Sequence, residues 1–141
     1  MKKITIWVDG DPQGKGRPRF STRNGYATAY TPKKTSDYEN LIANEYIRSE
    51  NYEMFTGSVG IEINAYFSIP KSLSKKKKQQ MIDSNILPLK KPDIDNIAKI
   101  VLDGLNDVAW VDDKQVVSLT TTKYYTHDDR PGLEIIVYEW E

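Results

Sequence analysis

Residues 91–116 read KPDIDNIAKIVLDGLNDVAWVDDKQV. From Asp95 onward, Ile97, Ile100, Val101, Leu105 and Val108 fall at offsets 0, 3, 4, 8 and 11, with Gly104 at offset 7. That spacing predicts a helix with one apolar stripe, which must be buried against another layer. The neighbouring segments predict what that layer is. Val59, Ile61, Ile63, Ala65, Phe67 and Ile69 alternate with more polar residues, and Pro70 stops the run. Gln115 to Tyr125 is β-branched and aromatic, HDDRPG at 127–132 is a turn by composition, and Leu133 to Trp140 alternates again. These have the two-residue period of strands.

Ile4, Ile6 and Val8 predict a first strand. The stretch GDPQGKGRPRFSTRNGYATAYTP that follows has no sustained period and predicts a long loop, with a small hairpin at Asn24-Gly25. Ser36 and Glu39 have capping-box spacing, and Tyr38, Leu41, Ile42 and Tyr46 predict a helix ending near Ser49. Ser72 or Ser74 is placed to cap a short basic helix to about Asp83, before a connector over 85–91. The element order predicts an α+β fold. Residues 1–141 form one domain, with a small mixed or antiparallel sheet and helices mainly on one face.

Composition narrows the class. Hydrophobic content of 38% and charged content of 28% suit a soluble globular chain. The absence of cysteine excludes disulfides and thiolate metal sites and fits a reducing cytoplasm, the compartment expected here. No apolar run approaches the roughly 20 residues of a membrane span. MKKITIWVDG has too short an apolar run for a signal peptide. Net charge is zero but unevenly spread. Residues 12–36 carry Lys15, Arg17, Arg19, Arg23, Lys33 and Lys34 with no acid, and residues 71–91 carry seven lysines against Asp83. Residues 93–113 carry six aspartates against Lys99. A polyanion-cutting enzyme needs this division, bases for phosphates and acids for a metal. The plain alternative is charge on solvated faces.

Asp93 and Asp95 flank the helix start, where one aspartate would serve as an N-cap worth about 1 kcal/mol. Two exceed what a cap needs and repel unless a cation lies between them. Lys99 and Asp103 follow at four-residue intervals, so Lys99 reads either as an ordinary helical ion pair or as a group reaching the aspartates' cleft. Asp112-Asp113 reads as turn chemistry, or as a pair carried back towards Asp93 and Asp95. An all-carboxylate set suits a hard cation, Mg²⁺ or Mn²⁺, which promotes phosphodiester hydrolysis. His127 sits in an apparent turn and reads as a surface residue. GKGRPR lacks phosphate-loop spacing, and no Ser-His-Asp arrangement is evident.

The run from Lys91 resembles the signature of the RusA family of Holliday junction resolvases over about 26 consecutive residues. It has the Lys-Pro-Asp-x-Asp-Asn start, a lysine one turn on, an Asp-Gly-Leu step and Asp-Asp-x-Gln-Val at the end. GKGRPRF, YTPKKTSDYEN and IPKSLSKKKK look like the longer bacterial and phage members. The resemblance implies that Asp93, Asp95 and Asp113 bind metal, with Asp112 as the substitute for Asp113. It further implies that Lys99 is the catalytic lysine, that Asn96 supports the site, and that the protein is a homodimer acting on four-way DNA junctions in recombination and repair. On that reading Lys15, Arg17, Arg19 and Arg23, interleaved with Phe20, Tyr26 and Tyr30 on a loop expected to be mobile, grip DNA phosphates. Lys75 to Lys78 is either a further backbone contact or a solvated face. The rival readings are a non-catalytic DNA-binding or structural protein, a flap or fork nuclease with the same site, and a metal enzyme acting on small phosphate substrates.

Overall fold

The computed structural model describes residues 2–16, 19–22, 25–126 and 128–141, with the side chain of Arg19 outside the description. The chain runs through β1 (Lys3–Asp9), β2 (Arg19–Ser21), β3 (Thr28–Tyr30), α1 (Lys33–Ile47), β4 (Val59–Phe67), α2 (Lys75–Ile82) and α3 (Ile94–Leu105). A 3-10 turn at Asp113–Gln115 then leads into β5 (Val116–Tyr125), and β6 (Gly132–Glu139) ends the fold. Four strands form one sheet in the order β1-β6-β4-β5, and β2 pairs with β3 in a separate hairpin. The α+β reading therefore stands. Asn24, placed at the predicted hairpin turn, lies outside the described residues.

Alternation along the strands decides which face is buried. Registers β1–β6 and β6–β4 align Ile4 with Val137 and Ile61, Ile6 with Ile135 and Ile63, and Val8 with Leu133 and Ala65. These rows join Ile42, Ile97, Ile100, Val101 and Leu105 in the core. α1 packs against β1 and α3, and α3 packs against β5. The other sheet face carries Trp7, Tyr66 and Tyr124, their rings in contact at 6.0 and 5.5 Å between centroids. No helix among the described residues is long and apolar enough to cross a membrane.

The start of α1 differs from the sequence expectation. α1 starts three residues before Ser36, with Pro32 at the N-cap position and its carbonyl accepting from the Thr35 and Ser36 amides at 3.0 and 3.1 Å. Ser36 lies inside the helix, so the capping box with Glu39 is not made, and Glu39 is used elsewhere. Leu41, expected on the buried stripe, is exposed. For α2 the choice falls on Ser74, whose hydroxyl accepts from the Lys77 amide at 3.2 Å.

β4 and β5 run parallel, which requires a long crossover between them. That crossover contains α3 and fixes its direction. At the helix entrance, the Lys123 ammonium donates to the Lys90 carbonyl at 2.6 Å. The Lys90 ammonium stands over the rings of Phe67 and Tyr125, at the C-terminal ends of β4 and β5. The far end of α3 leads to Val116, which pairs with Val59 at the opposite strand ends.

Candidate active site

Asp93 takes the N-cap position of α3 with its backbone, its carbonyl accepting from the Asn96 and Ile97 amides at 3.1 Å each. Its carboxylate makes no capping hydrogen bond. Asp95 follows in the first turn, and both side chains are exposed. Neither carboxylate has a hydrogen bond or ion pair with the described residues. The helix dipole favours negative charge here, so two anions are held at the start of α3 without being used as caps.

The glycine-rich loop closes over this helix start. The Lys15 amide donates to the Asn96 carbonyl at 2.9 Å, and the Gly16 amide donates to Thr35 Oγ1 at 3.2 Å. A Cβ on Gly14 would stand 2.7 Å from the Pro92 Cβ and 2.9 Å from the Asn96 Cβ, so only glycine admits this approach. Between loop and helices lies a cleft of about 910 Å³ whose lining includes Lys15, Lys34, Lys91, Asp93 and Asn96. A lysine-lined cleft ending at a free carboxylate suits a phosphodiester strand.

The proposed basic contacts divide. The Lys15 ammonium lies 3.1 Å from both Glu39 and Asp103, so it is committed within the molecule. Burial alone would pull it down, but hydrogen bonds and charges from Glu39 and Asp103 outweigh that and raise it above the ordinary lysine value. Arg17, Arg23 and His127 lie outside the described residues, and for Arg19 only the backbone, in β2, is described. Phe20, Tyr26 and Tyr30 are all exposed on or beside the hairpin. Lys75, Lys76 and Lys77 are exposed on α2.

Asp112 and Asp113 have different duties. The Asp112 carboxylate caps the 3-10 turn by accepting from the Lys114 amide at 2.9 Å. Asp113 Oδ1 accepts from the indole N–H of the fully buried Trp110 at 2.8 Å. Gln115 bolts this turn in place. Its Oε1 accepts from the Val111 and Asp112 amides, and its Nε2 donates to the Phe55 and Gly57 carbonyls. The bolt escaped sequence reading because Gln115 carries no charge and the two carbonyls it donates to lie about 60 residues away in the chain.

The expectation that the pair returns near Asp93 and Asp95 is not met within one chain. Twelve helical residues span about 18 Å. Trp110 bridges Asn106 and Phe55, holding the second acidic group at the C-terminal end of α3. Among the described residues, no three His, Cys, Asp or Glu side chains are grouped closely enough to hold a metal ion. The donor set at the helix start nevertheless fits magnesium, which takes one or two protein carboxylates and keeps water or phosphate oxygens for the rest.

The family model for endodeoxyribonuclease RusA matches residues 9–138. A Bacillus subtilis (strain 168) protein, the uncharacterized protein YqaN, is similar at 36% identity over 141 residues, covering 99% of this chain and 98% of the relative.

Proposed function

This chain belongs to the RusA family of endodeoxyribonucleases, and on that premise we propose a Mg²⁺-dependent, homodimeric resolvase of four-way DNA junctions whose metal sites are each shared between two copies. The length of α3 carries the shared site. Carboxylates bound to one Mg²⁺ lie within a few ångströms of each other, since each metal–oxygen bond is about 2.1 Å. The two acidic groups of one chain are separated by about 18 Å of helix. A second copy related by a two-fold axis brings its Asp113 to the first copy's Asp93 and Asp95, and the reverse. The same two-fold axis presents two sites to two strands of a junction.

Asp93 and Asp95 would supply hard oxygen donors, and Asp113 would arrive already oriented by Trp110. When bound, the ion activates water and stabilises the leaving oxygen. Lys99 lies one turn after Asp95 with its ammonium 3.9 Å from Asp103; turned toward the helix N-terminus, that ammonium would stabilise charge building on the attacked phosphate. Lys34 and Lys91 line the cleft and would hold the neighbouring phosphates. Asn96 would support the site, its backbone carbonyl accepting from the Lys15 amide that ties the loop to the helix start.

The test is cleavage of a synthetic four-way junction and of linear duplex, with and without Mg²⁺, followed by subunit mixing. Wild type cuts the junction only with Mg²⁺, while Asp93→Asn and Asp113→Asn alone bind it without cutting. Freely exchanged mixtures of the two variants recover about a quarter of the wild-type sites, because each mixed dimer retains one intact site. Failure of the exchanged mixture to regain activity would place the site within one copy. Wild type that leaves branched DNA intact in Mg²⁺ would remove the resolvase reading.

A further inference from the structure

We infer that Lys15 is a positioning residue, which by holding Asp103 loosens that carboxylate's pairing with the Lys99 ammonium and so releases Lys99 to the Asp93–Asp95 end of α3. This rests on the reading of Lys99 as the lysine of the active site. Asp95, Lys99 and Asp103 are spaced by four residues, so helical geometry alone allows Lys99 to pair in either direction. Asp103 Oδ2 is 3.1 Å from the Lys15 ammonium and 3.9 Å from that of Lys99. The side chain of Lys15 is 16% exposed and that of Lys99 62%. The nearer and less screened cation holds the shared carboxylate more tightly.

The chain fixes Lys15 for this task from three sides. Its own amide is bonded to Asn96, Gly14 is wedged against Pro92 and Asn96, and Gly16 is tied to Thr35. Glu39 supplies the second carboxylate. It approaches because Gly104 lets α1 close on α3, a Cβ there standing 3.1 Å from the Glu39 carbonyl. The Lys15 charge is permanent at neutral pH, since its neighbours hold the ammonium above the ordinary lysine value. With Asp103 held by Lys15, Lys99 keeps only a loose, exposed pairing with it at 3.9 Å, which costs little to leave for the N-terminal end of α3. Without Lys15, Asp103 has Lys99 as its remaining cation among the described residues, one turn away, and tightens on it at the wrong end of the helix.

The experiment compares wild type, K15M, K15R and K15M/D103N for junction cleavage, junction affinity and thermal stability, and determines the K15M crystal structure. K15M lowers kcat about tenfold with KM for the junction unchanged. K15R retains most of the rate. K15M/D103N regains it, although it has lost still more ion pairs, a result a merely structural role does not give. In the K15M crystal the Lys99 ammonium closes to about 2.8 Å from Asp103. An unchanged kcat, a raised KM with a weaker salt dependence, or no rescue by D103N overturns the inference. The crystal arm decides it even without cleavage, a Lys99–Asp103 separation that does not shorten overturning it. Wild-type inactivity, or K99A retaining full rate, is instead a failure of the functional reading.

Discussion

Asp112 and Asp113 are chemically identical neighbours with different partners. Asp112 accepts the Lys114 amide and closes a turn, a task asparagine performs equally well. Asp113 is gripped on one oxygen by the Trp110 indole, which leaves the other for a ligand. Asp112→Asn is therefore expected to keep junction cleavage within about twofold, since the cap survives. Asp113→Asn is expected to lose cleavage by about a hundredfold or more while melting within a few degrees of wild type. Comparable rates for both variants would reverse the assignment. The same residue-level contrast shows what the sequence could carry. Two aspartates at the start of α3 were legible as more than a cap, whereas the choice within the second pair depends on a buried indole.

α3 has one face in the core and one facing the loop and α1, and at Gly104 α1 comes close. A Cβ there would meet the Glu39 carbonyl at 3.1 Å and Ile42 Cβ at 3.4 Å. Gly104→Val adds a branched side chain against a backbone that cannot retreat, and is expected to cost about 1–3 kcal/mol. A urea midpoint that does not fall would show that the helices can separate freely. Periodicity located α3 well because its stripe is long and meets one continuous core. The start of α1 was misplaced because Ser36 and Glu39 match a capping box in spacing alone. Pro32 starts the helix earlier, and Glu39 turns to Lys15 across a gap of 24 residues.

Across the whole molecule, buried tyrosines set the alkaline limit of stability. Tyr46 is fully buried and donates to the Glu53 carbonyl at 2.8 Å. Burial foremost, then the neighbouring Tyr52 and Glu53, raise its pKa well above the ordinary value of 10.0, and burial raises Tyr38 likewise. The folded chain keeps protons that the unfolded chain gives up. Their contribution is therefore full below pH 10 and declines above it, at up to about 1.4 kcal/mol per pH unit for each group. Urea melts from about pH 8 to about 11 should be level up to pH 10 and fall beyond it. A level curve at the alkaline end would contradict this. Local period and residue type encode the α+β class, the strand faces, the apolar stripe of α3 and the acidic residues. That Lys15 faces two carboxylates, that Gln115 bolts a turn, and that α3 holds the two acidic groups of one chain apart emerges only from the fold. Those facts depend on contacts between distant segments and on the length of a rigid helix, and no local pattern encodes either.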